Sequence, residues 1–172
     1  MAGTTITESR RSQADFTNPV SKPLKEILIT GPSAPSLASL EDLSGKTVHV
    51  RLSSSYAESV RALSKHLVAQ GKSAIRIEAL DESLEDEDLI EMVDAGLLPW
   101  AVVDSYKPQM WQEVFTRITV REDLILREGG RLAWAIRPDS PRLKAFLNTF
   151  VKDNREGTLF GNIIRNRYIR DF

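Results

Sequence analysis

The sequence of 172 residues contains no cysteine, so no disulfide staples it and no thiol is present to bind a metal or attack a substrate. That absence fits a reducing compartment, and it fits equally an exported protein whose core is large enough to need no staples. Histidine is nearly missing too. His49 and His66 alone cannot build a metal site without carboxylates, so no metal and no cofactor is expected. No apolar run approaches the length of a bilayer span. An excess of one charge is lacking as well: 23 Lys and Arg stand against 24 Asp and Glu, which gives neither nucleic acid nor an anionic membrane a reason to bind. The opening stretch GTTITESRRSQADFTNP shows neither an export leader nor a prompt first strand or helix. It reads as the middle of a larger fold.

What is present is enough apolar residue, 41%, for a packed core, arranged as alternating strands and helices. EILIT at 26–30 is a short apolar run closed by GPSAPS, which continues neither strand nor helix. A short acidic turn with Gly45 as its stop leads into a β-branched strand over 47–50. In SSSYAESVRALSKHLVAQG, Ser55 and Glu58 have capping-box spacing. Tyr56, Val60, Leu63 and Leu67 share one helical face, and Gly71 ends the helix. AIRIEAL alternates like a strand. Ser83 is the expected cap of a second helix with Leu89, Met92, Val93 and Leu97 inward, and WAVVD at 100–104 reads as a fully buried strand. This order argues for an α/β fold with a parallel-dominated sheet, whose ligands bind at strand carboxyl ends. After a helical 106–115 and a strand-like stretch turning at Gly129-Gly130, Ser140-Pro141 opens a helix. A last helix, from Thr158 to Tyr168, is expected to bury Leu159, Phe160, Ile163 and Ile164.

Several motifs have plain readings. The acidic run DESLEDEDLIE lacks the alternating ligands and central glycine of a calcium loop and reads as a solvated helix face. The arginines of IIRNRYIRDF suit the negative end of a helix dipole. Three places carry sharper chemistry. Ser53, Ser54 and Ser55 follow a strand and open a helix, so hydroxyls and backbone N–H groups converge where an anion could rest, or simply cap the helix. Thr5 and Arg10 flank an extended segment, and a guanidinium near a hydroxyl is what bidentate carboxylate binding requires, although a surface arginine is the bland alternative. Asp104 closes a strand where it could hold an ammonium group or cap the next helix.

Taken together, GTTITESRRSQADFTNP, LEDLSGKTVHVRLSSSYAES, AGLLPWAVVD and LAWAIRPDSPRLKAFLN resemble, in order, four segments of the family 3 extracellular solute-binding proteins. Within that family the chain is most similar to the sensor module preceding the catalytic domain of F-type membrane-bound lytic murein transglycosylases, with NREGTLFGNIIRNRY like the joining segment. The resemblance implies a type II periplasmic-binding-protein fold with one complete lobe and a partial second one. Residues 1–30 would be a lobe-one remnant and crossing segment, 31–128 lobe two, and 129–172 the return strand and C-terminal helices of lobe one.

It also implies a site for a small zwitterionic ligand, an amino acid or a muropeptide. Thr5 would hydrogen-bond the ligand, Arg10 would grip its α-carboxylate with help from Ser54 and Ser55, and Asp104 would pair with its α-ammonium. Pro99 and Ser53 depart from the family pattern, where Asp and Gly are usual. With part of lobe one missing, binding is expected to be weak or absent. The implied role is a non-catalytic periplasmic module that regulates a downstream transglycosylase domain, in a parent protein associated with the outer membrane. The alternative is an amino-acid receptor delivering to the permease of an ABC importer. A hydrolase using Asp104 with a second carboxylate is disfavoured, because no nucleophile and base are placed together. The Glu-Ser pairs at Glu8, Glu58 and Glu82 lack the helical context transglycosylase chemistry needs.

Overall fold

The structure, a computed structural model, describes residues 3–155 and 157–167. In chain order the elements are β1 (Thr4–Thr5), α1 (Glu8–Arg11), β2 (Asp15–Phe16), β3 (Leu24–Thr30), β4 (Thr47–Val50), α2 (Ser55–Ala69), β5 (Arg76–Ala79), α3 (Asp86–Asp94), β6 (Trp100–Asp104), α4 (Lys107–Trp111), β7 (Thr119–Gly130), β8 (Leu132–Ala133), β9 (Ala135–Ile136), α5 (Pro141–Asn154) and α6 (Leu159–Arg165). The chain divides into two compact units, one formed by Met1–Leu24 with Gly129–Phe172 and the other by Lys25–Glu128.

In the 25–128 unit, β3 is the middle strand of three, between β6 and β7. Its side chains alternate between two cores. Leu28 joins Val48, Val50, Val60, Leu67, Trp100 and Val102 on the side covered by α2, whereas Ile29 joins Leu89, Ile90, Val93, Ala101 and Val103 on the side covered by α3. A sheet covered on both faces needs continuous apolar strands, which is why WAVVD has no polar alternation. Burying each such aliphatic side chain contributes about 1.5–3 kcal/mol. The expected parallel pairing is found between β4 and β5, but β3 runs antiparallel to β6, with Glu26 opposite Asp104 and Thr30 opposite Trp100. Residues 25–30, expected in a crossing segment, are therefore part of this unit's central strand.

Helix boundaries differ from the sequence reading in instructive ways. Ser54, not Ser55, caps α2: its hydroxyl accepts the Ala57 N–H at 3.2 Å. Ser83 does not cap α3, because Asp81 takes both its N–H and its hydroxyl, and Glu85 holds the cap position. Leu97 is 72% exposed rather than inward. Gly96, at φ 78°, turns the chain out of the helix, and Leu98 is buried in its place.

In the other unit, β1 pairs antiparallel with β8 and β2 with β9. Trp134 stacks on Phe150 of α5 with ring centroids 5.8 Å apart. The last helix does not bury its apolar residues as expected: Leu159 is 82% exposed, and Phe160, Ile163 and Ile164 are exposed too. Tyr168 and Arg170 lie outside the described residues.

Candidate functional site

Asp104 is the last residue of β6, on the sheet face that α2 covers. It is 5% exposed, and among the described residues no Lys or Arg lies within ion-pair distance of its carboxylate. Burial first, then the nearby charges of Glu26 and Asp86, push its carboxyl up from 3.8 to about 6, against smaller opposing effects of Lys107 and the Tyr56 hydroxyl. Its register partner Glu26 is 2% exposed. Glu26 is better supported: the Ser59 hydroxyl donates to its Oε2, and Arg127 Nη1 stands 3.6 Å from its Oε1 while reaching Glu58 at 3.5 Å.

Tyr56, in the first turn of α2, ties this strand end to a third acid. Its hydroxyl accepts the backbone N–H of Asp104 at 3.1 Å and donates to Asp86 Oδ2 at 2.8 Å. Burial, followed by the charges of Asp104 and Asp86, holds the phenol well above its ordinary value, so it remains a donor. Asp86, 5% exposed, also takes Arg51 Nη2 on Oδ1 and Lys107 Nζ on Oδ2 at 3.1 Å. The acidic run is thus not wholly a solvated face, since one of its members is buried among three donors.

The three serines divide their work. Ser53 gives its N–H and hydroxyl to Glu82, at 3.1 and 2.5 Å, and the hydroxyl bond is the first cause holding the Glu82 carboxyl below its usual range. Ser54 is spent on the helix cap and on the Arg51 carbonyl at 2.6 Å. Ser55, 5% exposed, makes no hydrogen bond through its hydroxyl among the described residues. Of the expected anion-binding trio, Ser55 therefore retains donor capacity, and it precedes the tyrosine that touches Asp104.

In the unit holding residues 4–11, Arg10 is anchored within its own segment. Its Nη1 donates to Thr4 Oγ1 and to the Thr5 carbonyl, both at 2.8 Å, and its N–H goes to the Thr7 hydroxyl that caps α1. The hydroxyl beside the guanidinium is thus Thr4's, with Thr5 contributing a carbonyl, and the intervening segment is a helical turn rather than fully extended. A concavity of about 410 Å³ in this unit, lined in part by Asn18, Asn148 and Lys152, contains none of the expected site residues.

Sequence reasoning missed Glu26, Tyr56 as a polar group, Asp86 and Lys107. The available signals were weak: a Glu leading directly into ILIT, and a Tyr directly after the serines.

Comparison with solved structures resolves the architecture. An ancestral arginine-binding protein bound to arginine superposes with a TM-score of 0.74 at 20% identity, covering 96% of this chain and 69% of that one. The substrate-binding protein of an amino acid ABC transporter gives 0.76 at 16% identity, covering 98% and 69%. A putative ABC transporter binding component from Wolinella succinogenes, complexed with lysine, gives 0.74 at 17%, covering 98% and 68%. The fold is that of the periplasmic amino-acid-binding proteins. The fold class read from the sequence is thus the one observed.

In sequence, the chain is 33% identical over 161 residues to membrane-bound lytic murein transglycosylase F of Ectopseudomonas mendocina, covering 92% of this chain and 31% of that protein. It is 29% identical over 167 residues to the protein of the same name from Desulfosudis oleivorans, covering 97% and 35%. The resemblance to F-type transglycosylases therefore extends along nearly all of this chain, which spans about a third of the length of these relatives. No protein-family model matches the chain.

Proposed function

We propose that this chain is a non-catalytic binding module for a free amino acid or the amino-acid end of a cell-wall peptide. The observation that carries the reading is Asp104, an almost buried acid held near 6 with no cationic partner among the described residues. A carboxyl so placed raises the energy of its own charged form, and an incoming ammonium relieves that cost. Ser55, buried with an uncommitted hydroxyl, supplies a donor for the ligand carboxylate, and Ser54 acts through the helix cap.

Structural neighbours bound to arginine, lysine and glutamine support an amino-acid ligand. The relatives named membrane-bound lytic murein transglycosylase support a cell-wall setting at a membrane; in this reading the parent protein lies in the periplasm at the outer membrane, and occupancy of the module regulates an attached cell-wall-cleaving domain. A transport receptor serving an ABC importer is the second reading, favoured by the neighbours that are binding proteins of ABC transporters.

The test is an NMR titration of the chain with L-arginine, L-lysine, L-glutamine and a soluble muropeptide to millimolar concentrations. At least one should shift the amides of Ser55 and Asp104. Replacing Asp104 by Ala should weaken that ligand roughly ten- to a hundredfold, the worth of one charge-assisted hydrogen bond. Unchanged affinity in that variant would place the site elsewhere. A muropeptide preferred over every free amino acid favours the cell-wall role, and the reverse favours transport.

A further inference from the structure

We propose that Asp86 is the positioning residue of the ammonium subsite: it holds the Lys107 ammonium away from Asp104, so that the Asp104 carboxylate is left for the ligand's cation. The inference rests on the reading above that Asp104 receives an ammonium group.

Lys107 stands three residues beyond Asp104, at the start of α4, and its side chain is only 17% exposed, so solvent does not hold it out. Two acids do. Its Nζ lies 3.1 Å from Asp86 Oδ2 and 3.3 Å from Glu87 Oε1. Burial alone would push the Lys107 ammonium down, but Asp86 and its other neighbours outweigh that and hold it above its ordinary value. The Asp86 carboxylate is itself fixed at both oxygens, Oδ1 by Arg51 and Oδ2 by the Tyr56 hydroxyl and Lys107. The other nearby cations are occupied in the same manner, Arg51 by Asp86 with Glu85, and Arg127 by Glu26 with Glu58.

The groups acting on Asp104 come from four elements: Glu26 of β3, Tyr56 of α2, Asp86 of α3 and Lys107 of α4. Lys107 is the one cation among them. A flexible, tethered ammonium beside a desolvated carboxylate pairs with it unless something holds it better, because its effective concentration there exceeds that of a free ligand. Asp86 is that stronger partner. Without it, Lys107 turns to Asp104 and occupies the subsite from within.

The test needs no ligand in its first arm. The Asp104 carboxyl is titrated by NMR in the ligand-free chain for the wild type, Lys107→Met, Asp86→Asn and the double variant. Removing Asp86 lowers the Asp104 midpoint simply by deleting a like charge, so the decisive quantity is the effect of Lys107→Met in each background. It should be small in the wild type and an upward shift of about one pH unit or more in Asp86→Asn, where the ion pair has formed. Equal shifts in the two backgrounds overturn the proposal. If Asp86→Asn does not fold, Glu87→Gln, which loosens the second grip on Lys107, replaces it with a smaller shift of the same sign, and no difference there overturns it equally.

In the second arm, Asp86→Asn should weaken whichever of L-arginine, L-lysine or L-glutamine binds the wild type by about tenfold or more, as losing a charge-assisted contact does. Adding Lys107→Met should restore the affinity; a loss that is not restored means Asp86 merely stabilises the fold. Should none of the three bind the wild type, the amino-acid reading fails for them, while the titration arm still decides where Lys107 goes.

Discussion

The Tyr56 hydroxyl accepts the backbone N–H of Asp104 at 3.1 Å, which ties the first turn of α2 to the end of β6. Tyr56→Phe removes that acceptor and leaves a buried N–H unsatisfied, besides taking a donor from Asp86. The variant should lose about 1–3 kcal/mol in urea denaturation, with the native slope retained.

Asp104→Asn should have the opposite effect, and only above acid pH. The folded value of about 6 lies above the ordinary 3.8, so the folded chain holds this proton more tightly than the unfolded one. The stability tied to the neutral acid is full below about pH 4, declines as pH rises towards 6 and is gone above it. Wild type and Asp104→Asn should therefore be similar at pH 4, whereas at pH 8 the variant should be more stable by up to about 3 kcal/mol, the two-unit shift expressed as energy. Paired denaturation curves at the two pH values check this.

The same shift predicts how binding depends on pH. The ligand's ammonium is charged throughout this range, and it pairs only with the ionised Asp104. Affinity should be level above about pH 6.5 and fall roughly tenfold per unit below 6, with protons released on binding near pH 6. Calorimetry in buffers of different ionisation enthalpy measures that release, and a pH-independent affinity between 5 and 7 would remove Asp104 from the site.

Ser54 and Ser55 should separate under mutation. Ser54→Ala deletes the α2 cap and should cost about 1 kcal/mol of stability. Ser55→Ala deletes a hydroxyl that bonds to nothing among the described residues, so stability should change little while ligand affinity drops. Thermal melts and titrations on the two variants give the comparison directly.

Periodicity made much of the 25–128 unit legible. The Tyr56, Val60, Leu67 face of α2 and the buried run of β6 follow from spacing and composition alone, and Gly71 stands at positive φ where the helix was expected to end, whereas Gly129-Gly130, expected to turn, continues strand β7. Local rivals were not legible: Ser83 has the right chemistry to cap a helix, but Asp81 two residues earlier captures it first. Strand order was hidden as well. A strand-helix-strand series suggests parallel neighbours, whereas β3 enters the middle of the sheet from earlier in the chain and runs the other way. The same insertion buries Glu26 opposite Asp104, so the pairing of two acids depended on a register that spacing does not reveal. Asp86 looked like one more surface acid because its three donors come from two distant stretches, Arg51 and Tyr56 from one and Lys107 from the other. The apolar positions of α6 have a helical period, yet a period says which residues share a face and not whether anything covers it.

The central place of β3 also orders events in time. Its residues 26–30 pair with 100–104 on one side, and its other side is taken by a strand that ends only at Gly130. During synthesis β3 therefore emerges early and waits, apolar and unpaired, until both partners have left the ribosome. Such distant pairings make folding slow compared with a helical protein of similar size, and they leave LKEILIT as the stretch for a chaperone to shield in the meantime.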